Sequence, residues 1–290
     1  MQVFTGIVRH VYEKPMMFDM IIKDKVEYFY LSRSLEKKFD NYLQEGNCVK
    51  VLVKDQKIIE NILVWNVISF DKISKIVGKN EVIYYDSNEI KEGVKKLLKR
   101  DNYRLFIDFE FTMPPYNYKH GGNSKEIFQA ELVQYGFCLE DAKGNLIDEA
   151  GGYIHPLYEM SYNERTLEFL GVSKDYLKNK APYYSKFYNE LKDYLTLYQP
   201  IIYIWGKNDY LMLSTSYEQH KVKPITERKN FVNLMQIMKN YYNIKDDIGL
   251  YAAYDLLNAK RPMQIQDHQA LHDAQATMEI FHLFDQEINK

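Results

Sequence analysis

Two carboxylates stand one residue apart in an apolar stretch, Leu105-Phe106-Ile107-Asp108-Phe109-Glu110-Phe111. On a β-strand alternate residues share a face, so Asp108 and Glu110 project together while Ile107, Phe109 and Phe111 pack opposite. Charges at the end of such a strand are costly unless protons or cations compensate them, and a hard divalent cation suits that task. Asp-x-Glu also arises by chance as two ordinary charges at an exposed strand end, so the pair needs further members to mean chemistry. A second apolar run, residues 201–205, passes through Gly206 to Asp209. That acid reads either as the N-cap of a helix beginning near Tyr210 or as a third ligand. A third stretch, His268-Gln269-Ala270-Leu271-His272-Asp273-Ala274, leads into an amphipathic helix with Met278, Ile280, Phe281 and Phe284. Adjacent helical residues differ by about 100° in direction, so His272 does not readily point with Asp273 into one site.

The elements that must position these groups fall into parts. Residues 1–70 read as a small β domain, with strand-type segments over 3–12, 16–22, 26–31, 48–54 and 58–70. A helix over 34–43, opened by Ser34 and closed at Gly46, lies between the third and fourth. Strand, strand, strand, helix, strand, strand is the order of an OB-fold barrel, with an SH3-like barrel as the alternative. Residues 71–100 read as a helical connector, with Gly78-Lys79-Asn80 as a breaker and a helix over 88–99. From 101 to 290 the pattern becomes that of an α/β domain. Strands are expected over 103–111, 130–139 and 151–154, then helical stretches within 157–197, a buried strand over 200–205, and helices over 211–220, 231–242, 249–258 and 272–286.

With 46% hydrophobic and 27% charged residues the chain reads as globular, and its formal net charge of −2 excludes a strongly basic coat for nucleic acid. Any grip on a polyanion must be local. The basic run Lys95, Lys96, Lys99, Arg100 and Arg104 reads as the solvated end of a helix. Most of the 26 Tyr and 15 Phe are expected in cores and sheets. Cys48 and Cys138 lack metal-type spacing and suit a reducing compartment. Neither a signal-peptide start nor an unbroken apolar span is present, so a cytoplasmic protein is expected.

Taken in order, acid-x-acid on one strand, an acid after a later strand and His-x4-Asp on the last helix resemble the pattern of the DEDDh 3′→5′ exonucleases. The resemblance covers about residues 103–284, and the wording FIDFEFTMP, FLGVS, YIWGKND, IGLYAAYDLLN and HQALHDA is similar to the KapD-like branch. It implies an RNase H-like mixed sheet flanked by helices, with metal ligation by Asp108, Glu110, Asp209 and Asp273 and His268 as general base. In the sister class a Tyr stands four residues before the last Asp; here that position is Gln269, and His268 lies five before it. Two Mg²⁺ or Mn²⁺ ions are expected, because the implied ligands are carboxylate and phosphate oxygens without thiolate. The implied activity removes nucleotides from the 3′ end of single-stranded nucleic acid, RNA favoured over DNA.

The resemblance also places Phe111, Thr112, Met113 and Phe169 around the terminal nucleotide, Phe169 reading equally as a core residue. Trp205 reads as packing at a sheet end, and residues 114–124 as a loop or lid beside the acids. The N-terminal domain reads as a substrate clamp if it is an OB-fold, or else as a packing or docking module. A non-catalytic nucleic-acid-binding scaffold and a phosphodiesterase for very short oligonucleotides are the competing functions.

Overall fold

Strict alternation of inward and outward side chains builds the first of two units. The structure, a computed structural model, describes residues 1–99, 101–118, 127–261 and 269–290. His268 and part of the 114–124 segment therefore lie outside the described residues. The chain divides into Met1–Lys96 with Asn240–Lys245, and Leu97–Lys239 with Asp246–Lys290.

In chain order the first unit holds β1 (Gln2–Glu13), β2 (Met16–Ile22), β3 (Lys25–Tyr30), α1 (Arg33–Phe39), β4 (Cys48–Ile59), β5 (Ile62–Val77), β6 (Asn80–Asp86) and most of α2 (Ser87–Leu98). The sheet order is β3-β2-β1-β4-β5-β6, and a further parallel pairing of β3 with β5 closes five strands into a barrel. That closure, with a helix between β3 and β4, is the OB-fold arrangement expected from the order of elements. Val8, Phe18, Met20, Phe29, Val51 and Phe70 fill the interior, and Phe39 of α1 packs among them.

Three local expectations are corrected. Ser32, not Ser34, caps α1, its hydroxyl accepting from Leu35 N at 3.4 Å, and the helix ends at Phe39. The apolar run over 58–70 is not one strand, because Glu60 and Asn61 adopt left-handed backbone (φ 48° and 65°) and turn β4 into β5. Residues 71–86 are not a bare connector: β5 continues to Val77, Gly78 turns at φ 65°, and β6 returns. Both faces of that ribbon's tip are exposed, so no apolar alternation marked it.

The second unit holds β7 (Arg104–Phe111), β8 (Leu132–Glu140), β9 (Leu146–Tyr153), α3 (Glu164–Leu170), α4 (Lys174–Asn179), α5 (Tyr184–Tyr198), β10 (Ile201–Ile204), α6 (Asn208–Gln219), β11 (Phe231–Asn233), α7 (Leu234–Tyr242, which ends in the first unit), α8 (Ala252–Leu256) and α9 (Ala270–Ile288). The sheet order is β11-β10-β7-β8-β9, with β7, β10 and β11 parallel and β8 and β9 antiparallel. This is the expected mixed sheet covered by helices. β11 was hidden inside a segment read as helix, since three residues cannot display a period of two.

Strand parity decides which helix meets the acids. Leu105, Ile107 and Phe109 face one side and pack with Phe187 and Leu191 of α5 and Leu213 of α6. Phe106 faces the other side, where Phe281 of α9 lies 5.4 Å away between ring centres. Asp108 and Glu110 share the parity of Phe106, so they look toward α9. Asp108 pairs with Gly136 on β8, and a Cβ on that glycine would overlap the backbone of Ala270 and Leu271. Only a hydrogen side chain lets the first turn of α9 lie directly on the strand. Among the described residues no helix is long and apolar enough to cross a membrane.

Gly136→Ala is expected to cost about 3 kcal/mol or to displace the start of α9, because both clashing groups are backbone. Chemical denaturation checks it. An unchanged midpoint would mean that the close approach is not required.

Candidate active site

The sheet brings Asp108 and Glu110 to the C-terminal end of β7, and α9 brings Asp273 to them. One carboxylate oxygen from each of the three lies within 4.8 Å of the others. Asp108 is half-buried; Glu110 and Asp273 are buried. Asp209 is not an N-cap: it sits in the first turn of α6, after Lys207, and its Oδ1 accepts from Phe109 N at 3.2 Å. This bond ties α6 to the peptide between Asp108 and Glu110 and holds the fourth acid beside the other three. The second unit therefore gathers all four expected acids; His268, the expected base, lies outside the described residues.

Supporting contacts fix the cluster from several sides. Tyr251 donates its hydroxyl to Asp273 Oδ1 at 2.8 Å. Gln134, which pairs with Glu110 across the sheet, accepts from Ala270 N at 2.9 Å and donates to Gln269 Oε1 at 3.0 Å, so β8 caps the helix that carries Asp273. Sequence reading missed Gln134, Gly136 and Tyr251 as site residues. Tyr251 lies in IGLYAAYDLLN, quoted only for its wording, and nothing local marks the other two. Trp205 donates its indole N–H to Ile248 O at 2.9 Å.

Repulsion dominates the electrostatics. Burial, and then the charges of Asp209, Asp273 and Glu110, push the Asp108 carboxyl well above the usual carboxylate range. Burial, followed by Asp273 and Asp209, pushes Glu110 to about 8. Burial also raises Asp209, although its two backbone N–H bonds oppose the rise. Such a set holds all its charges only when a cation compensates them. Its donors are carboxylate oxygens without thiolate, a donor set that fits a hard divalent cation.

A cavity of about 380 Å³ adjoins the acids, lined by Glu110, Phe111, Thr112, Met113, Phe169 and Met212 among others. All four residues expected around the nucleotide therefore meet there. Its wall is anchored: Thr112 N donates to Glu131 O and Glu131 N to Thr112 Oγ1, both at 2.9 Å. Met113 N donates to Thr166 Oγ1 at 2.9 Å, and Asn163 Nδ2 donates to Met113 O at 2.7 Å. Phe169 comes from the same helix as Thr166, one side packing against a small core that includes Leu170 and Leu177.

No protein-family model matches the chain, and no curated sequence matches it. Among solved structures it is similar to the nuclease domain of 3′hExo, a DEDDh family member, bound to rAMP, at 18% identity and a TM-score of 0.53, covering 64% of this chain and 92% of that one. The matched part of the chain shares the fold of that domain. A structure of 3′-end specific recognition of histone mRNA stem-loop by 3′-exonuclease matches at 16% identity and a TM-score of 0.52, over 64% of this chain and 82% of that one. Cell-death related nuclease 4 matches at 15% identity and a TM-score of 0.50, over 65% and 64%. At these identities the likeness is one of fold.

The carboxylate cluster makes stability depend on pH. In chelator the folded chain keeps a proton on Glu110 up to about pH 8, whereas the unfolded chain releases it near its ordinary value of 4.5. Folding stability is thus fullest below that lower value and is lost as pH rises through the higher one. The thermal midpoint in chelator is expected to fall from about pH 5 to about pH 8. Asp108→Asn removes the carboxyl that burial and its acidic neighbours push up and should flatten the fall, adding on the order of 1 kcal/mol at the upper end. Calorimetry of both proteins across that range decides the matter; parallel, flat profiles would contradict the reading.

Proposed function

We propose that the chain is a divalent-metal-dependent 3′→5′ exonuclease acting on single-stranded nucleic acid, RNA favoured over DNA. The observation that carries this is the convergence of Asp108, Glu110 and Asp273 within 4.8 Å, with Asp209 bonded to the strand between the first two, beside a cavity sized for a nucleotide. The similar structures that hold rAMP and recognise a histone mRNA stem-loop support RNA as substrate. Several members of that fold are described as nucleases or exonucleases.

In this mechanism Asp108, Glu110, Asp209 and Asp273 hold the ions and Tyr251 keeps Asp273 oriented. Bound there, two Mg²⁺ or Mn²⁺ ions supply charge neutralisation at the scissile phosphodiester and acidify the attacking water. Phe111 and Phe169 flank the terminal base, and Met113 and Thr112 shape the pocket. His268, joined directly to the Gln269 that leads into α9, accepts the proton of the attacking water on an imidazole nitrogen. An imidazole with an ordinary pKa near 6.5 suits that exchange at neutral pH.

The test uses 5′-labelled RNA and DNA strands of matched sequence, about 20 nucleotides long, with Mn²⁺ or with chelator. A ladder shortened from the 3′ end is expected only with metal, and faster on RNA. Asp108→Ala and His268→Ala should each lower the rate about 100-fold or more, the scale of losing one group that stabilises the transition state. Full activity of Asp108→Ala would remove the mechanism, and comparable rates on dinucleotides would favour the short-substrate phosphodiesterase. Phe169→Ala should raise KM about tenfold with little change in kcat, since a stacked ring contributes roughly 1–3 kcal/mol per base. An unaltered KM would return Phe169 to the core.

A further inference from the structure

Three separate stretches of chain line the cavity beside the acids. The end of β7 and the residues after it bring Phe111 to Met113, α3 brings Phe169, and α6 brings Leu211 and Met212. Ala130 and Glu131, which lead into β8, are bonded toward all three. Through its main chain Glu131 exchanges two hydrogen bonds with Thr112, each of 2.9 Å: its carbonyl accepts from Thr112 N and its N–H donates to Thr112 Oγ1. Ala130 O accepts from Gln219 Nε2 at 2.9 Å, which fastens the last residue of α6.

The tie to α3 is made by a side chain. Glu131 is only 1% exposed, stands apart from the four clustered acids and takes no part in the hydrolysis described above. Its Oε1 accepts from Leu157 N at 2.6 Å, and its Oε2 accepts from Tyr158 N at 3.1 Å and from the Ser161 hydroxyl. A buried carboxylate is costly without donors, and these three, all on one turn, compensate it. The turn runs straight into Asn163, the cap of α3. From there Asn163 Nδ2 donates to Met113 O at 2.7 Å, and Thr166 Oγ1 accepts from Met113 N at 2.9 Å. The bonds therefore close a ring. It passes from Thr112 to Glu131, through the carboxylate to the turn, along the turn to α3, and back to Met113, the neighbour of Thr112. Phe169 rides on the α3 side of that ring.

We infer that Glu131 is the positioning residue of the nucleotide pocket. Its carboxylate holds the α3 wall in register with the β7 wall, and so sets the affinity for the 3′-terminal nucleotide without lining the cavity itself. The residue type is decisive, because only a carboxylate accepts on both of its oxygens. Glutamine fills the same volume, yet in either orientation its NH₂ faces the backbone N–H of Leu157 or of Tyr158. A buried N–H left without an acceptor costs more than the bond alone, so the turn moves and α3 moves with it. The order of the pocket serves ground state and transition state alike, which places the loss in KM and not in kcat. This inference deepens the exonuclease reading and rests on it.

The test follows hydrolysis of a 5′-labelled RNA with Mn²⁺ and, separately, the binding of AMP to the full chain by calorimetry. Glu131→Gln should raise KM for the RNA and Kd for AMP by the same factor, about tenfold, with kcat and the Mn²⁺ dependence of the parent. A general loss of structure would lower kcat as well. Ser161→Ala removes one of the three donors and should raise both constants about threefold. If Glu131→Gln does not fold, an unchanged KM and Kd in Ser161→Ala overturns the inference. Amide hydrogen exchange reads the ring without any nucleotide: in Glu131→Gln the amides of Thr112 and Met113 should quicken together with those of Leu157 and Tyr158. Exchange that quickens at 157 and 158 alone, an unchanged KM, or a fall confined to kcat also overturns it. Hydrolysis by the parent is scored apart: AMP binding and exchange that depend on Glu131, without hydrolysis, sink only the exonuclease reading, and hydrolysis indifferent to Glu131 sinks only this inference.

Discussion

Four acids pressed together at one end of an apolar sheet repel each other, and the second unit is organised to hold them there. The force that keeps them is packing: Phe106, Tyr203 and Phe281 interlock with ring centres 5.0 to 5.4 Å apart, locking α9 to β7 and β10, with Phe106 two residues before Asp108 on the same face. Gly136 removes the side chain that would otherwise keep α9 at a distance, and Gln134 satisfies the helix's first amide. Asp209 is tied to the backbone of β7 itself. A carboxylate bonded to a peptide N–H moves with that strand, so the spacing of the acids is set by the rigid part of the sheet and not by loops. Burial that raises the cost of each charge also sharpens the cluster's need for a compensating cation.

The pocket beside the acids shows the opposite chemistry. Phe111, Met113, Phe169, Leu211 and Met212 make its walls largely apolar, while Glu110 stands at the boundary. Under the exonuclease reading, with cations on the acids, a ligand with a flat apolar ring and an anionic end matches that division. The wall is stiff where it meets the acids, because Met113 is bonded through both its N–H and its carbonyl to Thr166 and Asn163 at the start of α3. Asn163 also caps α3, accepting from Thr166 N at 3.1 Å. One side chain thus begins a helix and fixes the pocket wall, which links local helix capping to the shape of the cavity.

How much of this was readable in the sequence depended on range. Asp108 and Glu110 were legible because strand parity is a local rule, and the barrel was legible because its order of elements survives errors in their ends. Asp209 was legible as a position but not as a role: capping and site membership look alike until the partner, Phe109 N, is seen a hundred residues away in sequence. Gly136 and Gln134 left no trace, since a glycine in a strand and a polar residue beside it acquire meaning only from a helix 135 residues later that docks on them. The β5–β6 ribbon and β11 failed for another reason. An exposed ribbon has no apolar face to alternate, and three residues are too few for a period.

The charge balance of the whole chain bears on how it would hold a polyanion. A net charge of −2 and four clustered acids do not attract phosphates at long range. Under the exonuclease reading, ions at the acids reverse the sign of the field only locally, over distances of about one Debye length, roughly 8 Å at physiological salt. Nucleotides farther from the 3′ end must then be held by contacts that do not depend on net charge. Stacking on a fixed ring is such a contact, and at the terminal base the exonuclease reading assigns it to Phe111 and Phe169. A grip of this kind tolerates every base and releases a strand without breaking many ion pairs. Those are the properties an enzyme needs if it shortens its substrate one residue at a time.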